Sequence, residues 1–306
     1  MLVEYDRAER WLAAGIDYAE RVELWNHRRY MAAHLAHVQW AVGRWELADR
    51  TAEHALADGR GGITTRITAE HVLGYLAMGR GEWARAGELL GDALRQGEAM
   101  AELQRLSPAL WGLAETALLR GDHEAAIALC DRGQEASDRV GDAAYLFPFL
   151  VTGVRARLAG PGPGEAERWL AEVAGALAAR SIPGTLVAVD HGRGLLELAR
   201  GDLPAARAAL DRAAAGWAER RRFWEGTWAR LDQARCALVA AHRPRVRGGQ
   251  AGRRRQHQPP DRGRAVPVAQ DGRLPRRAHP GQTGSGPPGR DRRLGGVPPL
   301  GVHAGG

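Results

Sequence analysis

An alanine that lies near the start of an amphipathic helix returns at an almost fixed interval along this chain. The interval is 40 residues in four cases and 38 in the fifth. Self-similarity at such a period is typical of repeat proteins, in which each unit buries its apolar face against its neighbours. The chain is therefore predicted to form an array of helix pairs. We call these positions the reference alanines: Ala8, Ala48, Ala86, Ala126, Ala166 and Ala206.

Each repeat is predicted to hold a first helix, a tight turn and a second helix. Glycine stands five positions before four of the reference alanines, where a left-handed backbone lets the chain reverse. Residues twelve before and seven after are mostly small, so that neighbouring helices can approach closely. Each second helix should begin three residues before its reference alanine. The first helices should lie near residues 29–42, 66–79, 106–119, 144–159 and 185–200.

Residues 1–241 are thus predicted to form an all-α superhelix, a solenoid of helix pairs. The helix that opens the solenoid, within residues 4–25, has the sequence pattern of a second helix, and no first helix is predicted before it. Residues 222–241 are the converse, a first helix without a second. Trp224 and Trp228 on this last helix are expected to face the missing partner.

Residues 242–306 are predicted to be a disordered tail. They hold 14 arginines against three aspartates, no aromatic residue, and 24 glycines and prolines among 65 residues. Such a composition cannot bury enough apolar surface to fold. Three explanations remain open: a basic arm that binds nucleic acid non-specifically through its phosphates, an inert linker, or a frameshift product of a GC-rich gene, which the absence of lysine from the whole chain also suggests.

The repeats resemble the tetratricopeptide repeat. The resemblance rests on Leu73-Gly74, on Gly81-x-Trp83 with Ala86, and on Gly43-x-Trp45 with Ala48. A period near 40 departs from the 34 residues usual in that family. The stretched, Ala-, Arg-, Leu- and Trp-rich repeat is similar to the C-terminal sensor region of large ATP-binding LuxR-type transcriptional regulators. The stretches from Arg105 to Glu115 and from Arg222 to Leu231 strengthen this resemblance.

The resemblance implies a sensor segment without the other parts of such a regulator. Their nucleotide-binding domain needs a lysine in its phosphate loop, and this chain has none. The segment from Gly79 to Ala84 has the form GxGxxA of some dinucleotide sites, but it joins two predicted helices and follows no strand. His123-Glu124 starts a zinc-protease pattern that fails at Ile127. We therefore expect no catalysis, cofactor or metal, and we expect Cys130 and Cys236 to be buried free thiols.

A concave groove lined by the first helices is the predicted binding site. In the tetratricopeptide register, residues 15 and 11 positions before the reference alanines face this groove, including Ala33 and Leu195 beside six larger side chains. A protein, a peptide or a polar small-molecule effector is the expected ligand; the alternative is that these residues only pack neighbouring helices. The six candidates are His37, His71, Tyr75, Trp111, Glu115 and His191.

The sequence as a whole favours a non-catalytic binding module, the sensor segment of a LuxR-type regulator. The alternatives are a stand-alone repeat adaptor or a basic-tailed protein associated with nucleic acid. Acidic residues precede any apolar run at the start, and the longest apolar stretch, residues 143–154, is too short to cross a membrane. We therefore expect a cytoplasmic protein with no membrane partner.

Overall fold

A computed structural model describes residues 4–57 and 61–242, which belong to the first of two units of the chain, Met1–Val246. The described residues fold into twelve α-helices, and no strand occurs among them. The helices are α1 Tyr5–Arg21, α2 Trp25–Ala41, α3 Trp45–Leu56, α4 Ile63–Arg80, α5 Trp83–Met100, α6 Leu103–Leu119, α7 His123–Val140, α8 Phe147–Ala159, α9 Pro163–Arg180, α10 Pro183–Arg200, α11 Leu203–Glu219 and α12 Phe223–His242.

The predicted helix pairs are confirmed. All six second helices, which are the odd-numbered ones from α1 to α11, begin three residues before a reference alanine. The first helices begin a few residues earlier than predicted, except α8 and α12, which begin three residues and one residue later. A 3₁₀ turn at Ala143–Tyr145 precedes α8, because Pro148 lacks an N–H and suits only the first turn of a helix. The predicted tail lies outside the described residues, apart from His242 at the end of α12.

The predicted turn glycines adopt the left-handed backbone. Their φ angles are 84° at Gly43, 79° at Gly81, 80° at Gly121 and 80° at Gly201. At Gly81 the N–H donates to the carbonyl of Met78 at 3.1 Å, and the next N–H, of Glu82, donates to Ala77 at 2.9 Å. These bonds satisfy the last carbonyls of α4 and start α5 directly after it.

Large residues of the second helices pack over small residues of the first. A Cβ added at Gly74 would lie 2.6 Å from Leu90 Cγ, and one added at Gly194 would lie 2.6 Å from Leu210 Cγ. Both leucines stand four residues after a reference alanine, and both glycines twelve before it. All reference alanines from Ala48 onward have no exposed surface. The register of the repeats is therefore confirmed.

The first helices stack on one another in order, α2 on α4, α4 on α6, α6 on α8 and α8 on α10. The winding brings α12, the last of the described helices, back to the first repeat. The Phe223 ring lies so near Gly43 that a Cβ there would be 2.7 Å from it, and the rings of Trp45 and Trp224 stack at 6.2 Å. The start of α12 therefore closes against the turn between α2 and α3.

Candidate functional site

The six residues of the predicted groove lie in the interior of the superhelix. Five are buried, and His37 is half-buried. The structure brings the rings of four of them together, with centroids 6.2 Å apart for His37 and Tyr75, 6.4 Å apart for His71 and Tyr75, and 5.1 Å apart for Tyr75 and Trp111. His191 belongs to a separate cluster. The expectation of an open groove therefore differs from the structure, and ligand binding at these residues stays a prediction.

The turn from α11 to α12 fills the inner face. Trp224 Nε1–H donates to Glu115 Oε1 at 3.0 Å. The Arg222 guanidinium lies 5.3 Å from the ring centroid of Trp40 and 5.2 Å from that of Phe147, within the range of cation–π contact. The turn between α11 and α12 thus occupies the space where a bound peptide is expected from the sequence.

Arg222 is the centre of a buried charged network. Its Nε and Nη2 donate to the two oxygens of Glu225 at 2.7 and 2.8 Å, and its Nη1 donates to the Tyr5 hydroxyl at 2.5 Å. Burial lowers the pKa of Arg222, but the Glu225 charge and Tyr5 outweigh it and hold the pKa above its ordinary value. A bidentate pair of this kind is costly to break once it is buried. The network joins α12 to α1.

A second polar cluster surrounds Glu115. The Thr152 hydroxyl donates to Glu115 Oε2 at 2.6 Å, and Trp111 Nε1–H donates to the Thr152 oxygen at 3.1 Å. Burial raises the pKa of Glu115 more than the hydrogen bonds from Thr152 and Trp224 and the Arg155 charge lower it. The carboxyl group is thus fully used in joining α6, α8 and α12.

A third cluster joins α10, α11 and α12. His191 Nε2–H donates to Asp232 Oδ2 at 3.0 Å, and Trp217 Nε1–H donates to His191 Nδ1 at 3.3 Å, which assigns the proton to Nε2. Burial lowers the pKa of His191. Burial raises the pKa of Asp232, but His191 and Arg155 outweigh it and leave that pKa below its ordinary value. These hydrogen bonds hold the three helices together.

The cavity between the inner aromatic residues has a volume of about 30 Å³. This is the space of one water molecule in the liquid. Trp40 Nε1 and Ser107 Oγ, both of residues that line it, make no hydrogen bond within the described residues. The cavity therefore suits a single small polar molecule and excludes a peptide unless the α11–α12 turn moves.

Cys130 and Cys236 are both buried free thiols, as predicted. Burial raises the pKa of the Cys130 thiol above its ordinary range, which keeps it protonated and unreactive. Within residues 4–57 and 61–242, no three His, Cys, Asp or Glu side chains lie close enough to hold a metal ion. None of the helices in these ranges is both long and apolar enough to cross a bilayer.

The open surface lies on α12 and α11. Leu238 is 60% exposed. Ala234 is also exposed, whereas Ala36, Ala114 and Val154, which occupy the repeat position of Ala234 in earlier repeats, are fully covered. Together the two helices border a largely apolar groove of about 850 Å³. We call the residues that line this groove, together with the exposed Leu238 of α12, the open α12 face: Leu203, Pro204, Arg207, Ala208, Asp211, Gln233, Ala234, Cys236, Ala237, Ala240 and Leu238.

The aromatic residues of α12 lie elsewhere than expected. Trp224 and Trp228 are only partly exposed, since Trp224 stacks on Trp45 and Trp228 lies 4.5 Å below the Arg155 guanidinium. The sequence signal for the open face was therefore the small residue at position 234, where the repeat pattern requires a covering helix.

Comparison with known proteins assigns no family to the chain. No family model matches it, and no curated protein matches it. Among solved structures it is similar to BtubC (BKLC) from P. vanneervenii, at 12% identity over 87% of this chain and 99% of that one. The TM-score is 0.42, too low to carry a conclusion about fold or function.

Proposed function

We propose that this chain is a non-catalytic binding module that receives an amphipathic helix of a protein partner on the open α12 face. The single observation that supports this is the exposure of Ala234, because the residues at the same repeat position of the earlier first helices are all buried. Apolar helix faces that are left uncovered mark interaction sites in folded proteins. The complete helix pairs of the same chain show how a second helix packs on such a face.

The occupant is a helix because the repeats show what fits such a face. In the complete pairs a leucine of the second helix lies over the small residue of the first, as Leu90 does over Gly74. Ala234 stands in the place of Gly74. An incoming helix with apolar residues at i, i+3, i+4 and i+7 would reproduce this packing, which is the helix-in-groove mode of recognition.

The setting we propose is the sensor segment of a LuxR-type transcriptional regulator. Support comes from the period near 40 and from the stretches that contain Trp111 and Trp224. The nucleotide sequence of the gene and its surroundings tests this setting. A nucleotide-binding domain encoded upstream and a helix-turn-helix downstream, with the repeat continuing in another frame after residue 246, would support it; the absence of all three would contradict it.

A peptide of residues 83–100, the sequence of α5, is a suitable probe because α5 is a second helix whose packing on a first helix, α4, is described above. We expect a fluorescently labelled peptide to bind the full chain in anisotropy titrations, with an affinity in the micromolar range that is typical of a single docked helix, about 10 µM. The Leu90→Asp peptide and the Ala234→Arg protein should each lose this binding. The Val140→Glu protein, changed at an exposed residue of α7, is the matched control. Binding that is unaffected by Ala234→Arg would contradict the proposed face.

A further inference from the structure

We infer that the open α12 face receives α1 of a second copy of this chain, so that copies associate head to tail. This inference rests on the proposed function, since it names the occupant of the same face. It depends on three observations: α1 has the pattern of a second helix, its outer face is uncovered, and its side chains fit α12 in the register of the complete pairs.

The helix α1 is a second helix in sequence and in structure. It begins at Tyr5, three residues before Ala8, as every other second helix begins before its reference alanine. Leu12 stands four residues after Ala8, in the place of Leu90 and Leu210. Its small Gly15 packs against Met31 of the following first helix, in the place that Gly133 takes against Phe149. The face toward α2 is therefore used as in the other repeats.

The opposite face of α1 is uncovered in the described structure. Trp11 is 70% exposed and Tyr18 is 55% exposed. Trp169 occupies the same repeat position as Trp11, yet it is only 3% exposed because it lies on Gly153 of its first helix and under Arg157. Trp11 thus has the side chain for this contact, and no helix covers it among the described residues.

The register of the complete pairs assigns the contacts between two copies. Leu12 of one copy would lie on Ala234 of the other, as Leu210 lies on Gly194. Trp11 would lie beside Ala237, which stands in the place of Arg157, whose guanidinium is 4.1 Å from the Trp169 ring centroid. One continuous helix stack then runs from α11 and α12 of one copy into α1 and α2 of the next.

Within a single chain, α1 is held away from this face. Its first turn contacts the start of α12, since Arg222 donates to the Tyr5 hydroxyl and Arg221 pairs with Asp6. The rest of α1 packs along α2. The open α12 face lies more than ten residues further along α12, which at 1.5 Å per residue is about 15 Å away or more. The pairing is therefore between copies.

The resulting interface is heterologous, because α1 of one copy contacts α12 of another and leaves one of each uncovered. Such contacts generate rings or open chains, and a dimer is only their first step. One helix pair buries less than the roughly 800 Å² per partner of a standard stable complex, so the association should be weak, with a dissociation constant of about 10 µM to 1 mM.

Sedimentation velocity of the full chain over about 5 to 500 µM tests the inference. We expect the weight-average sedimentation coefficient to rise with concentration. Trp11→Glu and Leu238→Glu, both at exposed positions, should each abolish the rise, and Val140→Glu should leave it unchanged. Far-ultraviolet circular dichroism checks that each variant keeps its helices.

A gain of affinity provides the sharper test. Ala237→Arg supplies the guanidinium that covers Trp169 in the complete pair, and we expect it to tighten the association by about two- to tenfold through contact with Trp11. The double variant Ala237→Arg with Trp11→Ala should lose this gain. An equal gain in both backgrounds would overturn the assigned register.

The outcomes separate this inference from the proposed function. A chain that stays monomeric throughout, yet binds the residue 83–100 peptide through Ala234, overturns the inference alone. Failure of both experiments overturns both. Association that survives Trp11→Glu and Leu238→Glu shows that another surface, such as residues 243–306, is responsible, and also overturns the inference.

Discussion

Trp224 donates a hydrogen bond to Glu115 from a helix that lies 109 positions further along the chain. The indole nitrogen is 3.0 Å from Oε1, and the carboxyl group is buried. This bond joins the last described helix to the middle of the array. It makes the inner face of the superhelix part of the core, and it distinguishes this chain from a solenoid whose groove is free to bind.

Trp224→Phe should destabilise the protein by about 1–3 kcal/mol, because it removes one donor from a buried carboxyl group while keeping an aromatic ring against Trp45. The free energy of unfolding from urea titrations measures this. Trp83→Phe, at a tryptophan that is 36% exposed, is the matched control and should have a smaller effect. Equal losses in the two variants would show that the hydrogen bond to Glu115 contributes little.

Arg222→Met should cost about 3–5 kcal/mol, because it leaves the Glu225 carboxylate buried without its bidentate partner. The double variant Arg222→Met with Glu225→Leu removes both charges and should recover most of that loss. A double-mutant cycle of urea midpoints tests the coupling. If the double variant is as unstable as the sum of the two single variants, the pair is not coupled in the way the structure indicates.

The sequence predicted the helix pairs because the alternation of large and small residues is local to each repeat. Leu90 and Gly74 lie within one pair, so the spacing alone specifies their contact. The filling of the inner face could not be predicted in the same way, since it depends on a small rotation added at every repeat. Nothing in the spacing of Trp111 or Glu115 shows how tightly the superhelix winds.

A weak signal for the filled interior was nevertheless present in α12. Arg222 and Trp224 stand 24 and 22 positions before the next expected reference position, 246. The preceding repeat has Ile182 and Gly184 there. Charged residues also occur 24 positions before other reference alanines, as Glu102 and Asp142, whereas no other repeat has an aromatic residue 22 positions before. Trp224 therefore indicates a contact outside the repeat pattern. The partner of this contact, Glu115, lies on the face of the first helices that the repeat pattern assigns to ligand binding, so its spacing predicts a binding residue.

Gly74→Val should destabilise the protein by about 1–3 kcal/mol or more, because even its Cβ would lie 2.6 Å from Leu90 Cγ in a filled helix crossing. Gly87→Val is the matched control on the neighbouring helix α5. No atom lies within 4 Å of a Cβ there, and valine has a slightly better helix propensity than glycine, so stability should stay equal or rise slightly. Thermal unfolding of both variants measures the difference, and a similar melting temperature for the two would contradict the packing register.

Acidification should destabilise the superhelix through its buried and half-buried histidines. Burial, together with the Arg222 charge, lowers the pKa of His37 to about 3, and burial and the Arg105 charge lower that of His71 to about 3, although a backbone hydrogen bond with Arg105 opposes the shift. Burial and Arg105 also lower the pKa of His34 to about 4. In the unfolded chain a histidine takes up its proton near pH 6.5.

These lowered pKa values determine how the free energy of unfolding changes with pH. Between about pH 6.5 and the folded pKa values the unfolded chain binds more protons, so the free energy of unfolding falls as the pH falls, by up to about 1.4 kcal/mol per pH unit for each histidine. The raised pKa of Glu115 acts in the opposite direction. Urea titrations of the wild type and of His71→Gln at several pH values between about 7.5 and 5 isolate one histidine, since the variant should lose about one proton from the slope. His27→Gln, at an exposed position of α2, is the control, and a slope that is the same in His71→Gln as in the wild type would show that His71 is protonated in the folded protein.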